Sequence, residues 1–447
     1  MTTAASAEGL APVAGPIRKT KWSVVWLLTL TLFSALTVGG LLAPLQEAAK
    51  ADLGMTDMQL SLLVGAALAI PVALFSLPIA WMVDRGNRKR LLIVLTSLWA
   101  LGTIGCAFAP NFEGLFAARL IAGIGAGTGF PVVVSLLADV CMPDRRGRSM
   151  LLMSIGAWGG AAAAYAIGGT LFGYLEANPT ALFPGLAPWR ETHLLVGIGA
   201  ALGILPLFLM KEPERHEVEQ TNVKLMPSLR AFWKRRRFLG PLLLGNLAGG
   251  LADVAAGMWV GSVLIRHYNQ APGAFGGWVG LIILASGVLG SIIGGFSADA
   301  GLKMKLRGGI LLPALIATGL TIPAGLYPIM PTVSGFAWVL FALLVGGTIV
   351  NLVNSAAIAV LIPNEERAMS LAFLKMASTF VTFLAMPPII VWMSHVIGGE
   401  NALGQALAWL GVITGIVSLI GYWLAMVNAP DPVAKVEVAD AFADSLG

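Results

Sequence analysis

Charge is what this 447-residue chain has least of: 11% of its residues are Asp, Glu, Lys or Arg, while 57% are apolar. An ordinary soluble domain carries about 25% charged residues. The shortage excludes a soluble enzyme and a disordered or collagen-like chain. It also rules out a nucleic-acid binder, despite a pI of about 9.3. Cysteine is nearly absent. Cys106 and Cys141 cannot build a disulfide framework and read as small buried hydrophobes. The four histidines, His193, His216, His267 and His395, are far apart and match no metal-ligand spacing, so neither a metal nor a cofactor is expected. No apolar run precedes Trp22, so no cleavable signal peptide is expected. Glycine, in contrast, is abundant at 54 residues and falls inside apolar runs, where it lets helices approach closely in lipid. These features define an integral membrane protein.

A hydrocarbon core about 30 Å thick takes roughly 20 apolar residues of helix. Windows of that kind predict spans near 22–46, 58–83, 91–110, 113–140, 149–175 and 192–210. A second set follows near 239–266, 274–298, 308–328, 334–362, 368–396 and 402–427. The chain is thus read as an all-α membrane protein of twelve helices in two six-helix bundles, 22–210 and 239–427. Tails 1–21 and 428–447 flank them, and a polar linker, 211–238, divides them. Within the linker, residues 225–233 alternate apolar and basic residues, which predicts a short helix lying on the headgroups.

Lys and Arg favour cytoplasmic segments. With the N-terminus inside, 23 of the 28 basic residues fall on inner segments. Lys50, Arg119, Arg190 and Arg266 fall on outer segments or outer helix ends, and Lys375 lies within a span. Both termini are therefore expected in the cytoplasm. The short loops suit a bacterial inner membrane.

The halves echo each other. The second span ends Ala80-Trp81-Met82-Val83-Asp84-Arg85-Gly86-Asn87-Arg88-Lys89-Arg90, and the eighth ends Gly295-Phe296-Ser297-Ala298-Asp299 before Lys303, Lys305 and Arg307. In each, a small residue allows close helix contact and the acid four residues on can meet a helix N-terminus or an arginine. The loops Pro143-Asp144-Arg145-Arg146-Gly147-Arg148 and Pro363-Asn364-Glu365-Glu366-Arg367 also correspond. At these residues the chain resembles the major facilitator superfamily, and the twelve spans and 6+6 division extend the resemblance over nearly the whole chain. The resemblance implies a secondary transporter working by alternating access. It implies a cytoplasmic gate built from Asp84, Arg85, Arg88, Asp139, Arg148, Asp299 and Arg367.

Asp52–Gln59, Asp84–Lys89 and Leu137-Ala138-Asp139 ahead of Pro143 and Arg146 are also similar to Spinster-type lipid transporters. That subfamily carries an Asp-Arg pair in helix 1 and an Arg…Glu pair in helix 4, implicated in proton coupling. Here Val38-Gly39 stands at the first pair; Arg119 is kept, and Ala126 replaces the glutamate. The fifth span, with Gly156, Gly159, Gly160, Gly168 and Gly169, is similar to the superfamily's Gly-rich antiporter motif, with Ala164-Tyr165 at its Gly-Pro step.

Charges inside spans are costly and point to function. Arg119, Asp253 and Lys375 are the three that stand out. The superfamily resemblance puts helices 1, 4, 7 and 10 around a central cavity, with helix 11 flanking it. Arg119, Asn246, Asp253, Asn351, Asn354 and Lys375 are then the candidate substrate-binding residues. Asp253 is the candidate proton-coupling group, because a carboxyl withdrawn from water holds its proton more tightly. Two bland readings stand beside these. Asp253 and Lys375 would simply pair, and Arg119 would snorkel or bind a helix terminus.

The three charges sum to +1, which favours an anionic or zwitterionic, small or lipid-like substrate. The protein is expected to be a monomer whose partners are that substrate, protons and membrane lipids. No GxxxxGK[ST] motif occurs, so ATP hydrolysis within the chain does not drive it. A non-transporting sensor on the same fold is the alternative, and a membrane lipid enzyme the lesser one.

Overall fold

The structure is a computed structural model and describes residues 20–142, 145–179, 183–215, 235–304, 306–362 and 377–430. Twelve helices are long and apolar enough to cross a membrane. They are α1 (Trp22–Leu53), α2 (Asp57–Arg85), α3 (Arg88–Ala107), α4 (Phe112–Val140), α5 (Arg146–Ala177) and α6 (Pro188–Leu209). The second six are α7 (Arg236–Arg266), α8 (Pro272–Lys303), α9 (Gly309–Ile329), α10 (Val333–Leu361), α11 (Ala377–Ile397) and α12 (Glu400–Val427). The interfacial helix expected at 225–233, together with Arg367 and Lys375, lies outside the described residues.

Local chemistry starts these helices where the sequence turns polar. Thr56 and Gln59 form a reciprocal capping box that opens α2. Asn87, Asn111 and Thr332 cap α3, α4 and α10 through their side-chain oxygens. Pro188 and Pro272 open α6 and α8, where an N–H would find no partner anyway. Gly54, at φ +61°, turns the chain between α1 and α2 in a conformation other residues seldom adopt. Among the described residues four helices are interrupted: α1 at Leu41, α2 at Gly65, α9 at Gly325 and Leu326, and α11 by a π-turn at Phe380–Ala385. Such π-turns recur at functional sites.

Twelve crossings bring residues 20 and 430 to the same face, called here the terminal face. The distribution of buried side chains then defines the conformation. Near the terminal face the halves have separate cores. Leu28, Leu92, Trp99, Val132 and Leu136 belong to the first half, and Leu242, Leu311, Val353 and Tyr422 to the second. Toward the opposite face a single core joins them, with Leu45, Leu60 and Leu63 packed among residues that include Trp259, Phe275 and Phe336. The molecule is closed on the opposite face and parted on the terminal face.

Glycines make the closed contacts. A Cβ at Gly169 or Gly276 would lie 2.5 Å from a backbone oxygen of the facing helix, so α5 and α8 touch backbone to backbone. Gly261 of α7 sits equally close to Ala43 of α1, and Gly65 of α2 to Phe383 of α11. On its other side α5 packs Gly156 and Gly160 against Thr29 and Phe33 of α1. The glycine run of the fifth span therefore serves two interfaces.

Both cysteines are free and buried, as expected. Trp26, Trp409 and Trp423 are exposed at span ends in the manner of interface anchors. Trp189, near the start of α6, is instead buried, and its indole N–H donates to Asp52 at 3.1 Å. The α1 extension to Leu53, beyond the expected end at residue 46, supplies that acceptor.

Candidate functional site

The second half holds a cavity of about 280 Å³ walled by α7, α10 and α11. Asn246, Gly250 and Asp253 line it from α7, Asn351, Asn354 and Ser355 from α10, and Ser378, Thr379 and Thr382 from α11. Four of the six substrate-binding candidates, Asn246, Asp253, Asn351 and Asn354, are thus brought together. Helical geometry explains why. Asn246, Gly250 and Asp253 are spaced four and three residues apart, on one face of α7; on α10, Asn354 and Ser355 lie three and four residues beyond Asn351.

Asp253 is set into the wall. Its Oδ1 is buried and has no hydrogen-bond partner among the described residues. A Cβ at Gly347 of α10 would lie 2.7–2.9 Å from the carboxyl atoms, so glycine there makes the space the carboxylate occupies. Asn246 donates to the Ser378 hydroxyl at 3.1 Å. Asn354 is buried, with its Oδ1 unpartnered among the described residues. The wall therefore combines one acid with amides and hydroxyls that can donate or accept. No Lys or Arg lines it among the described residues.

Arg119 is placed elsewhere. It is buried in the first half and reaches the carbonyl of Gly39 at 3.3 and 3.4 Å, near the break in α1. Gly39 belongs to the Val38-Gly39 pair, so the acceptor for this arginine is a backbone oxygen. Trp259 and Tyr165 are packing residues: Trp259 lies fully in the core, and Tyr165 donates to the carbonyl of Gly257 at 2.7 Å. Trp158 rests on Gly287 of α8.

The gate candidates divide into two groups. Arg88 is buried and grips Asp139, the Ser135 hydroxyl, the carbonyl of Pro213 at 3.0 Å and Glu212 at 3.1 Å. Asp84, Arg85, Arg148 and Asp299 are exposed, and no ion pair joins them across the halves among the described residues. Arg85 instead stacks over Trp81.

Two groups of charges were missed by sequence reasoning. Glu212 accepts from the backbone N–H of Arg88 and of Lys89 (2.7 Å), capping the start of α3. Arg215 donates to the carbonyls of Val83, Asp84 and Gly86 at the end of α2. An acid at a helix N-terminus and a base at a C-terminus both oppose the helix dipole. The alternating Glu212-Pro213-Glu214-Arg215 was the available signal, though it reads equally as linker.

On the opposite face, Asp57 of α2 accepts from Lys50 of α1 (2.7 Å) and from both terminal nitrogens of Arg266 of α7 (2.6 and 2.7 Å). Arg266 also reaches Glu47 at 2.8 Å, and Lys50 reaches Glu400 at 2.6 Å. Gln46 donates to the Met258 carbonyl and the Ser262 hydroxyl, and Ser262 donates to Glu47. Lys50 and Arg266, counted from sequence only as outer charges, thus tie one half to the other.

Among the described residues, two six-helix halves joined at one face and parted at the other, with a polar-lined cavity in the second half, make up the alternating-access transporter fold. The Major Facilitator Superfamily profile matches residues 27–386, and the chain belongs to that family. It is 31% identical over 139 residues to the niacin transporter NiaP of Acinetobacter baylyi, covering 31% of each chain. It is 26% identical over 391 residues to an MFS-type efflux pump of Mycolicibacterium smegmatis, covering 85% of this chain and 87% of that one. Matches to the first curated relatives span only about a quarter to somewhat over a third of those proteins' lengths. The fold superposes with a TM-score of 0.76 on a bacterial homologue of the human lysosomal transporter Spinster, in an inward-facing, unoccupied conformation. That match is 19% identical in sequence and covers 93% of this chain and 98% of the other.

Proposed function

We propose that the protein carries a small organic anion across the membrane together with a proton, and that Asp253 is the group that couples them. The observation that carries this reading is the Asp253 carboxylate, set into a cavity wall of amides and hydroxyls with no cation among the described residues that line it. An ionised Asp253 repels an anion in the cavity, and a protonated one does not. Loading the substrate then requires loading the proton, and a deprotonated, empty carrier returns. Asn246, Asn351 and Asn354 supply the amide N–H groups that hold the anion.

Relatives support the substrate class. Curated relatives are named as transporters of niacin, of 3-(3-hydroxyphenyl)propionate and of 4-hydroxybenzoate, all small aromatic acids. A D-xylose-proton symporter shares the fold, with a TM-score of 0.67. The chain itself carries out no covalent chemistry in this reading.

The terminal face is assigned to the cytoplasm of a bacterial inner membrane, because 23 of 28 basic residues fall on that side of the expected spans. The cavity is then inward-facing. The Arg88–Asp139–Glu212 cluster holds the cytoplasmic end of the first half together. Asp84, Arg85, Arg148, Asp299 and Arg367 close that end when the opposite face opens, and Lys375 stays a candidate counter-charge on the grounds of the sequence alone.

Proteoliposomes loaded at pH 8 and diluted to pH 6 test the reading with radiolabelled benzoate, niacin and 4-hydroxybenzoate. Accumulation that collapses with a protonophore is the expected result. Accumulation of none of these acids, with binding of neutral sugars or cations instead, would overturn it.

A further inference from the structure

Asp253 borders a second, narrower space. Behind the cavity wall, between α7, α9, α10 and α12, lies a void of about 10 Å³, room for about one water-sized sphere. Asp253, Thr318, Thr321 and Thr414 give it its polar lining, and four glycines, Gly249, Gly347, Gly411 and Gly415, keep it clear of side chains.

Thr321 spends its hydroxyl proton on the Thr318 carbonyl at 2.9 Å, and Thr414 spends its proton on the Leu410 carbonyl at 2.8 Å. Both hydroxyls are left with lone pairs alone. Thr318 is buried at 1% exposure, and its Oγ1, like Asp253 Oδ1, has no partner among the described residues. Among the described residues no Lys, Arg, His, Asn or Gln lines the void. A buried carboxylate is costly without a compensating charge. Ala252, Leu343 and Val350 complete the lining, so the polar side-chain atoms offered to the void are oxygens, the donors a hard cation prefers.

We propose that this void is a monovalent-cation site that takes Na⁺, held by the Asp253 carboxylate and the Thr318, Thr321 and Thr414 hydroxyls. The proposal rests on the reading of Asp253 as the coupling group and extends it. A sodium ion behind the wall neutralises the carboxylate as a proton does, from the side away from the substrate. Potassium, the larger ion, is disfavoured by the size of the void.

The test is equilibrium binding of ²²Na⁺ to the purified full-length protein at pH 8 and constant ionic strength, with choline as the balancing cation. Wild-type protein is expected to bind one Na⁺ saturably, with unlabelled Na⁺ competing at least tenfold better than K⁺. Thr318→Val and Thr414→Val are expected to weaken binding at least tenfold, Thr318→Ser to retain it, and Asp253→Asn to abolish it. Melting curves and size-exclusion profiles check that each variant is folded. Absence of saturable ²²Na⁺ binding, with the void filled by water, would overturn the proposal, and so would binding unchanged in folded Thr318→Val. Proton-driven uptake of an organic acid in sodium-free vesicles separates the two readings. If it persists without any ²²Na⁺ binding, the cation site falls while proton coupling stands. If ²²Na⁺ binds saturably but no acid is taken up, the cation site stands and the organic-anion reading falls.

Discussion

Replacing Asp57 with Asn is expected to release the closed opposite face. Asp57 is 3% exposed and accepts three charge-assisted bonds of 2.6–2.7 Å, two of them from Arg266 across the halves. Removing one partner of a buried ion pair costs about 3–5 kcal/mol. Here the loss is smaller, because Arg266 keeps Glu47 at 2.8 Å and Lys50 keeps Glu400 at 2.6 Å. A cost of about 2–3 kcal/mol, borne only by the closed state, shifts the closed-to-open ratio by roughly 30- to 160-fold. Spin labels at exposed Glu113, where α4 starts, and exposed Thr332, just ahead of α10, report the separation of the halves at this face. The labels go into a background in which Cys106 and Cys141 are replaced. Double electron–electron resonance is expected to show one short distance in wild type and a new, longer population in Asp57→Asn. An unchanged distribution in the folded variant would refute the idea that this cluster holds the face shut.

Three further outcomes follow from named contacts. Gly347→Ala places a Cβ within 3 Å of the Asp253 carboxyl; the acid must turn away, and proton-driven accumulation is expected to fall at least tenfold while exchange is less affected, read by parallel uptake and counterflow assays. Glu212→Gln loses the charge of the acid that caps α3 and pairs with Arg88, at a cost of about 1–2 kcal/mol, which a thermal melt should register as a fall of a few degrees. Gly276→Leu forces a side chain into backbone contact with α5, and is expected to wedge the α5–α8 seam and abolish transport with the protein still inserted, as judged by fluorescence-detected size exclusion.

The spans were legible in the sequence because bilayer thickness and hydropathy are nearly sufficient to place a helix in lipid. All twelve expected spans have a counterpart, with ends differing by several residues where polar side chains lie on helical extensions. Lys50 and Glu47 show the reason: a charged turn beyond residue 46 looks like a loop, yet Arg266 and Asp57 supply counter-charges that keep it helical and folded against its neighbours. Asp253, Asn246, Asn351 and Asn354 were legible because a polar residue inside an apolar run has few bland explanations. Their convergence followed from helical spacing and the resemblance to the superfamily. Arg119 shows where such reasoning stops. Its rarity was visible, but which way a guanidinium points depends on the break in α1 that offers Gly39, and that break is a tertiary feature. The void behind Asp253 was not legible at all, since four helices must assemble before three threonines and a carboxylate share a space.

The most direct measurement compares wild type with Asp253→Asn in proteoliposomes, recording substrate counterflow without a gradient and accumulation under an inward proton gradient. Wild type is expected to do both, with accumulation rising as the external pH falls. The variant, neutral at every pH, is expected to keep counterflow and lose accumulation. If Asp253→Asn accumulated substrate at the wild-type rate with the same pH dependence, Asp253 would not be the coupling group.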